Sequence, residues 1–584
     1  MRESLGQRKF MSMLFVSSLE MILNVTANLA DTCISGHLIG ENGVSAVNVM
    51  MPLMSVMNFV SAVVSMGISY TYGEAMGKAD KKHADELFGL SVIFAAASGL
   101  AMFIAMETFS DKYFAFINPS SEVLALTKEY YSFFRFVLII DPLTIVMSSM
   151  VYNDGDELLS NLANISNILG NVVLSIFFAF TLKMGIAGVA LGTFAKDVMC
   201  LSVLCCHFLR RSNSLHMRIY FSFRDLWDFV RLGFVDSGMY IMWAILMFFM
   251  NKFVIARFGN EYLPVLSVLT NFLNMTILFE GVAEAMIPIV GVYYSEGNYP
   301  AVRKLMNLVL RVSVFEGIAM SAVLIVFADY VPALFGITDP EIAGCCAYAV
   351  RIISSTLVVS AVLYLMETYY MLQDKNIIPV VSSCLRNLVC VLALSVPLGM
   401  VWGLKGIWVG FASAQVMTLI ICTALLCANH GRKFFPLYLE EIYPIQDYDI
   451  RLSPDAVISV RDSAAEFMKS HGIPDITVKQ AMILIEETGM LILERNRTSK
   501  SLLAEYTAEI HEGGKVRITI RDNGEIFDIT DEDLQITSLR SYIVSRPMSI
   551  WMYKRNITTM SFNRNIFRNT FEVKDGIAGK LVMK

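Results

Sequence analysis

The chain contains about twelve apolar runs that are each long enough to cross a lipid bilayer. A spanning helix needs roughly 20 mostly apolar residues, and lipid offers no partners to unsatisfied backbone groups. Runs of this length therefore predict an α-helical polytopic membrane protein with about twelve transmembrane helices. The predicted spans lie near residues 10–36, 44–72, 87–108, 123–150, 158–181, 185–208, 227–257, 264–293, 304–328, 341–371, 377–399 and 404–428.

The composition agrees with a membrane location for most of the chain. Of 584 residues, 55% are hydrophobic and 17% are charged, whereas soluble domains carry about a quarter charged residues. The net charge of −6 argues against nucleic acid as a partner. The ten cysteines include no C-x-x-C pair, so we expect no metal site.

Basic residues occur mostly in alternate loops between the predicted spans. Arg2, Arg8 and Lys9 precede the first span, and Arg432 and Lys433 follow the twelfth. By the positive-inside rule, this pattern predicts that both termini are cytoplasmic. The basic start has no A-x-A-like cleavage site, so we expect the first span to be retained. These features predict a multi-pass protein of the plasma (inner) membrane.

The two halves of the apolar region repeat each other at a separation of about 218 residues. The segment "GIAGVALGTFAKDVM" at 185–199 aligns with "GLKGIWVGFASAQVM" at 403–417. We therefore expect two six-helix lobes, residues 1–215 and 216–435, with a substrate site between them. A linker at 436–450 is predicted to lead into a cytoplasmic α/β domain at 451–584.

Acidic residues inside the predicted spans are the first candidates for function, because a charge in the membrane is costly. Asp31 lies near the end of the first span, in "NLADTCISGHLIG". A carboxyl group in low dielectric resists ionisation, holds a proton near neutral pH and releases it when water arrives. This behaviour suits a proton-coupled carrier. The alternative is an acid that only caps or follows the end of its helix.

Three further acids lie in the second half of the apolar region. Glu280 and Glu284 are one helical turn apart in the eighth span and share a face. Glu367 lies in the tenth span. They are candidates for a cationic-substrate site or a second cation site, against a purely structural role.

Basic residues inside the spans also need partners. Lys196 and Asp197 are neighbours in the sixth span, so we expect their side chains to point in different directions. Lys252, Arg351 and Arg386 are expected to pair with the intramembrane acids or to face water.

Four motifs resemble those of multidrug and toxic compound extrusion (MATE) transporters. They are "LADTCISGHLIG", "YNDGD", "NVVLSIFF" and "GIAGVALGT", and the resemblance covers residues 1 to about 435. It implies two six-helix lobes in a V, and export driven by an inward proton or sodium gradient.

The resemblance also implies a cation-coupling site in the first lobe. Asp31 matches the acid of the family's first helix, Asn171 the asparagine of the fifth and Thr193 the threonine of the sixth. The family's second carboxylate is replaced by Ser175. This departure favours proton coupling through Asp31 over a two-carboxylate sodium site.

The last quarter of the chain reads as an α/β domain. "SPDAVISVRDSAAEFMKSHG" predicts a helix with Ser453 as N-cap, and "TVKQAMILIEETGMLILERN" predicts a second helix. A strand hairpin is predicted to follow, turning at Gly513–Gly514.

This tail resembles the GHKL-type (Bergerat-like) nucleotide-binding fold of anti-sigma-factor kinases, through "LIEET" and "IRDNGEIFD". The resemblance implies that Glu487 belongs to the magnesium and nucleotide site, and that Asp522 and Gly524 receive adenine. Leu491 replaces the family's magnesium-binding asparagine, and no glycine occurs between Gly524 and Gly576, where a lid should follow. We therefore expect no ATP hydrolysis. Binding of ATP or ADP without hydrolysis and a regulatory, protein-binding role both stay open.

These features predict a secondary antiporter that exports organic cations or amphiphiles in exchange for H⁺ or Na⁺, and not an enzyme. The first alternative is a flippase for lipid-linked oligosaccharides, whose pyrophosphate needs basic residues in the cavity. The second is a membrane-tethered sensor or kinase that acts through the tail.

Overall fold

A computed structural model describes residues 4–77, 81–154, 156–210, 213, 215–373, 377–430, 439, 443–496, 502–525, 560–563 and 569–573. Long helices dominate it as far as residue 430, because this part of the chain is almost continuously apolar. The helices are α1 Leu5–Ile39, α2 Glu41–Gly77, α3 Lys81–Ile117, α4 Ser121–Asn153, α5 Glu157–Ile176, α6 Gly185–Cys205, α7 Phe223–Phe258, α8 Leu263–Asn274, α9 Leu278–Ser295, α10 Tyr299–Val326, α11 Val331–Leu334, α12 Pro340–Ser354, α13 Leu357–Met371, α14 Ile377–Cys384, α15 Cys390–Trp402, α16 Leu404–His430, α17 Pro454–Ser470 and α18 Asp475–Arg495.

The number of candidate spans is smaller than the twelve predicted. In the described part of the chain, ten helical segments are long and apolar enough to cross a membrane. The number becomes eleven if α12 and α13, which meet at a bend of 47°, form one span. Helix α1 is not included in this number, and several of its side chains lie outside the described part. The predicted eighth span is interrupted by a short 3₁₀ turn, Met275–Ile277, between α8 and α9.

Most of the helical region belongs to one of two compact units, Ser18–Gly281 with Ser313–Leu425. Helix α2 packs along α7, and α6 packs against α4 and α5. Polar pairs join the two repeats inside this unit, including Asn48 Nδ2 to Asn251 Oδ1 at 2.8 Å.

Glycines at matching positions make the repeat visible in the packing. Gly185, with φ of +63°, is the first residue of α6, and Gly403, with φ of +67°, directly precedes α16. Further along these helices, a Cβ on Gly192 would lie 2.5 Å from Ser175 Cα, and one on Gly410 would lie 2.4 Å from Ser395 Cα. The same close helix approach therefore occurs once in each half, at the separation expected from the sequence.

The tail belongs to the second unit, Met1–Ser17, Val282–Val312 and Leu426–Lys584. Its sheet has the order β1-β2-β3-β5-β4, with every described pair antiparallel. The strands are β1 Ile445–Arg451, β2 Leu503–His511, β3 Lys515–Asp522, β4 Met560–Asn563 and β5 Asn569–Val573.

The predicted helices and hairpin of the tail are confirmed. Ser453 Oγ caps α17 by accepting from Ala456 N at 3.2 Å, and Gly513 and Gly514 take positive φ between β2 and β3. Residues 445–451, however, form a strand paired with β2, so the predicted linker at 436–450 extends too far.

One face of the sheet forms the tail's hydrophobic core. Tyr506, Ile510, Val516, Ile518 and Ile520 pack there against apolar residues of α17 and α18. Residues that alternate with these along β2 and β3 are polar and are also buried, namely Glu505, Thr507, Glu509, Thr519 and Arg521. The polar face of the sheet must therefore have partners of its own.

Candidate functional site

Asp31, Asn171 and Thr193 meet in the interior of the first lobe, although they come from α1, α5 and α6. Thr193 Oγ1 lies 2.9 Å from Asp31 Oδ2 and 3.4 Å from Asn171 Oδ1. The other carboxylate oxygen of Asp31 is buried, with no hydrogen bond in the described part of the chain. Three residues that the family resemblance assigns to one site are thus neighbours in space.

Tyr130 of α4 is a fourth member of this group, and sequence reasoning missed it. Its hydroxyl donates to Asp31 Oδ2 at 3.1 Å, while its ring is fully buried and stacks on Phe134 at 5.6 Å. Tyr130 lies 99 residues from Asp31 in an aromatic-rich run. Nothing local in that run separates it from the neighbouring Tyr131.

Ser175 occupies the place of the family's second carboxylate. It is fully buried, and its Oγ lies 3.3 Å from Val189 O. Its backbone packs against Gly192, where even a methyl group would approach it to 2.5 Å. The close crossing of α5 and α6 leaves little space at this position, which suits a small side chain.

Lys196 and Asp197 do not point apart, contrary to the sequence prediction. Lys196 Nζ lies 3.2 Å from Asp197 Oδ1, and both contact Asn167 of α5, at 3.2 and 2.9 Å. The long lysine side chain bends back along α6 because Asn167 and Asp197 together provide acceptors for its ammonium group. Nearby, Ser61 donates to Asp141 at 2.7 Å.

The second lobe has its own polar centre around Arg386, which lies in a π-helical turn between α14 and α15. Arg386 pairs with Glu367 at 3.1 Å, and Ser382 donates to the same carboxylate at 2.7 Å. The guanidinium also lies over the ring of Tyr364, 4.0 Å from its centroid. Glu367 is therefore held in a buried ion pair, as expected of a partner for Arg386.

A cavity of about 140 Å³ adjoins this centre, lined by Glu280, Tyr364, Arg386 and Gln415 among others. Glu284 is exposed and is not among the lining residues. Of the two glutamates predicted to act together, only Glu280 reaches this cavity.

The other basic residues are engaged elsewhere. Lys252 Nζ donates to Phe116 O at 2.6 Å and lies over the Phe116 ring, 4.1 Å from its centroid. Arg351, in the last turn of α12, pairs with Asp329, which lies between α10 and α11.

The predicted nucleotide residues of the tail are occupied by local contacts. Asp522 Oδ1 accepts from Gly524 N at 2.8 Å, and a Cβ on Gly524 would meet Asn496 Nδ2 at 2.5 Å. Leu491 is buried in the hydrophobic core of the tail, and Glu487 is half-buried on α18. The expected lid region falls in 526–559, which lies outside the described residues.

The polar face of the tail sheet contacts the corner between α9 and α10, within the same compact unit. Arg521, with no exposed side-chain surface, donates to Glu505 at 2.7 Å and pairs with Glu296. Tyr293 donates to Glu505 at 2.6 Å, and Asn298 donates to Asp447 at 2.8 Å.

Asp449 of β1 extends this contact to the start of the chain. It pairs with Lys304 of α10 and accepts from Leu5 N of α1 at 3.2 Å. The sheet thus binds the first turn of α1 as well as the α9–α10 corner.

Burial shapes the electrostatics of this face. It raises the pKa of Glu509 to about 7, although Arg517, 3.6 Å away, opposes the shift. Burial also raises the pKa of Glu505 to about 7 against the opposing charge of Arg521. The buried face therefore holds carboxyl groups whose pKa values lie above their usual range.

Comparison with known proteins points to one family. The model of the MatE family matches residues 17–180 and 238–399, two segments whose starts are separated by nearly the repeat length. The multidrug export protein MepA of Staphylococcus aureus (strain NCTC 8325 / PS 47) is 19% identical over 353 residues, 59% of this chain and 76% of that protein. MepA of Staphylococcus haemolyticus (strain JCSC1435) matches to the same extent.

Solved structures share the fold of the helical region. An inward-facing multidrug resistance MATE family transporter of the MOP superfamily superposes with a TM-score of 0.64 at 22% identity, covering 68% of this chain and 93% of that one. The MATE multidrug transporter DinF-BH, solved in complex with R6G, gives 0.61 at 19% identity, covering 75% and 100%. The matched segments of the family model end at residue 399, so the GHKL resemblance of the tail gains no support from this match.

Proposed function

The chain belongs to the MatE family of transporters and is not an enzyme, and on that premise we propose that it is a secondary antiporter. It exports organic cations or amphiphilic compounds across the plasma membrane in exchange for inward-moving H⁺. Both termini lie in the cytoplasm, as the distribution of basic residues indicates. Relatives named as multidrug exporters support this class of substrate.

The observation that carries the proposal is the position of Asp31. An acid held inside a membrane lobe by the hydroxyls of Thr193 and Tyr130 is costly to keep, and such residues typically mark ion pathways. Its ionised form accepts both hydrogen bonds, while its protonated form removes the charge from the lobe. The ionised and protonated forms of Asp31 therefore interact differently with the same surrounding residues, as the coupling of proton binding to a conformational change requires.

The contacts of Asp31 favour H⁺ over Na⁺. Both hydroxyl groups are placed to donate hydrogen bonds to the same carboxylate oxygen. Hydrogen bonds of this kind stabilise the ionised carboxylate without a metal ion. With Ser175 at the place of the second carboxylate, a single acid that exchanges a proton is the simpler coupling device.

The test is dye transport in proteoliposomes with an imposed pH gradient. We expect Asp31→Asn to abolish pH-driven export of a cationic dye, while Asp111→Asn, which changes an exposed acid paired with Lys128, keeps the wild-type rate. Equal export by wild type and Asp31→Asn would refute the role of Asp31. Stimulation by a sodium gradient alone would refute proton coupling.

The flippase alternative needs basic side chains that are available to a pyrophosphate group. Lys252 bonds a backbone carbonyl, Arg351 pairs with Asp329 and Arg386 pairs with Glu367. These partners support the antiporter over the flippase.

We further propose that the tail regulates the transporter by binding the α9–α10 corner, and that it does not use nucleotide chemistry. Leu491 is buried in the core, and Asp522 and Gly524 are engaged in contacts within the tail. These contacts support a structural role for this end of the sheet over nucleotide binding. The ion pair between Arg521 and Glu296 links the tail directly to the end of α9. A sheet held at this corner restrains movement of α9 against α10.

Arg521→Met tests the proposed restraint. Removing one member of a buried ion pair leaves the carboxylates unpaired, at a cost of about 3–5 kcal/mol. In the full-length protein we expect faster amide exchange in β2, β3 and the α9–α10 corner, together with an altered transport rate. Arg461→Met, which removes ion pairs with Asp462 and Glu486 on the helical side, is the matched control. Faster exchange with unchanged transport would refute regulation, and stabilisation of the protein by ATP or ADP would refute the absence of nucleotide binding.

A further inference from the structure

A second layer of polar residues lies one helical turn from the Asp31 group, on the same two helices. Asn167 is four residues from Asn171 on α5, and Asp197 is four residues from Thr193 on α6. Residues four apart share a helix face, so both layers point into the same lobe. The second layer contains the ion pair of Lys196 and Asp197.

Asp197 is held on one side only. It is 1% exposed, and its Oδ1 receives the contacts of Lys196 and Asn167. Its Oδ2 is buried with no hydrogen bond in the described part of the chain. A buried carboxylate oxygen without a partner is rare and calls for a ligand or a proton.

Asp197 lines a cavity of about 430 Å³, within the size range of ligand pockets. Asp141, Asn167 and Lys196 line the same cavity, with Ser148, Ser149, Asn164 and Cys200. A polar space of this size holds water. Asp31, Asn171, Thr193 and Tyr130 are not among the lining residues, so this cavity brings water to the second layer.

The charges of the second layer leave one carboxylate in excess. Lys196 balances one of Asp141 and Asp197, and its charge also interacts with that of Asp31. In the second repeat, Ala414 and Gln415 stand where Lys196 and Asp197 stand in the first. The charged pair is therefore confined to the lobe that contains Asp31.

We propose that Asp197, positioned by Lys196, is the second titratable station of the coupling pathway, at which the proton held by Asp31 is exchanged with water in the cavity. This inference rests on the proposed antiport function. It assigns to the second layer the role that a carboxylate at position 175 would have played.

The step balances as a proton transfer from one carboxyl group to the other. The O–H bond of the Asp31 carboxyl breaks, and a proton is bound at Asp197 Oδ2, so Asp31 becomes charged as Asp197 becomes neutral. The O–H bond on Asp197 then breaks, and the proton passes to cavity water. Lys196 remains an ammonium ion throughout and compensates the negative charge as it moves between the layers.

The ligand of this station is a proton and not a larger cation. The ammonium group of Lys196 already occupies the Oδ1 side of Asp197 at 3.2 Å. A metal ion or a substrate ammonium at Oδ2 would stand close to this like charge.

The test compares charge-neutral variants in proteoliposomes and in weakly buffered detergent solution. The double variant Lys196→Met/Asp197→Asn removes both charges together, because a lone buried charge destabilises a protein more than loss of the pair. We expect pH-driven dye export and dye-induced proton release, followed with a pH-indicator dye, to slow at least tenfold. We expect the Kd of the double variant for the dye at fixed pH to stay within twofold of the wild-type value.

Further variants separate the proposed role from simple packing. Lys128→Met/Asp111→Asn removes an exposed ion pair of the first lobe and keeps wild-type rates. Lys196→Gln keeps polar contacts with Asn167 and slows proton release, and Asp197→Glu restores part of the rate lost in Asp197→Asn.

Three results would overturn the inference. The first is a folded double variant with wild-type proton release while Asp31→Asn is inactive, which leaves the proposed function intact. The second is a double variant that loses dye binding, or sodium-stimulated transport, while its proton release equals that of the wild type. The third is a wild-type protein without pH-driven export, which refutes the antiport proposal together with this one.

Discussion

At the residue scale, the first lobe depends on a few side chains that share one acid. Asp31 of α1 receives hydrogen bonds from residues 99 and 162 positions away, which places α4 and α6 against its carboxylate. The acid itself was predictable, because an acidic side chain in an apolar run is conspicuous. Its tyrosine partner was not, because Tyr130 and Tyr131 have almost identical sequence surroundings.

Tyr130→Phe removes a hydroxyl from Asp31 and keeps the aromatic ring that stacks on Phe134. A hydrogen bond to a charged group contributes about 1.5–3 kcal/mol. We therefore expect pH-driven export to fall at least tenfold, with little loss of folded protein. The measurement is the initial rate of dye transport in proteoliposomes.

The adjacent tyrosine provides the matched control. Tyr131→Phe removes a hydroxyl that donates to Glu107 of α3 at 3.3 Å instead of to Asp31. It should transport at the wild-type rate. Equal rates in both variants would show that the Tyr130 hydroxyl has no part in coupling.

At the element scale, the tail sheet differs from an ordinary two-layer α/β domain. Its apolar face packs on α17 and α18, as alternation in the sequence predicts. Its polar face is also buried, because the α9–α10 corner supplies matching partners such as Glu296 and Asn298. The alternation of apolar and polar residues in the sequence identifies the core face of the sheet. The sequence of the polar face, however, is the same whether that face is exposed to water or packs against another element.

Glu509 makes the stability of this sheet depend on pH. Burial raises its pKa from 4.5 to about 7, so the neutral form is favoured when the sheet is formed. This contribution is fully present below pH 4.5 and is lost as pH rises through about 7. The charged groups around Glu509 are Arg517, Arg521, His511, Glu296 and Asp447.

We expect the free energy of local opening of β2 and β3 to fall by about 1–2 kcal/mol between pH 5 and pH 8. The measurement is amide exchange in the full-length protein, corrected for the intrinsic effect of pH. Glu509→Gln should flatten this dependence, and Glu512→Gln, in the exposed turn, should keep it. A steep dependence in the Glu509 variant would assign the effect to another group.

At the scale of the whole molecule, the two repeats of the transporter meet at the end where α1 stops and α2 starts. Glu41 accepts from Thr338 N and Asp339 N, at 3.2 and 2.9 Å, just before α12. A Cβ on Gly36 would overlap Phe335 O at 1.9 Å, so the backbones also touch. Alternating access requires contacts of this kind to break when the transporter opens on that side.

Glu41→Ala should therefore shift the transporter toward the state that is open at this end. Spin labels on Ser121→Cys and Gly344→Cys, in a cysteine-free background, report the distance between the repeats by double electron–electron resonance. We expect longer distances to gain population in Glu41→Ala.

Glu122→Ala is the matched control for this prediction. Glu122 accepts from Asn42 at 3.0 Å near the same end, but the contact stays within the first repeat. The distribution of distances between the two spin labels in Glu122→Ala should equal that of the wild type. An identical shift in both variants would mean that Glu41 does not hold the repeats together.

The sequence alone determined the helical membrane class, the internal repeat, the α/β tail and the acid at position 31. These follow from local or periodic properties: the thickness of a bilayer sets the length of apolar runs, and helix and strand periods set which residues face a core. Only the tertiary structure decided that Tyr130 joins Asp31, that Lys196 bends back to Asp197 and that Arg521 pairs with Glu296. Each of these contacts depends on which distant segments pack together and on which buried groups need a partner. The local pattern of residue types in the sequence determines neither.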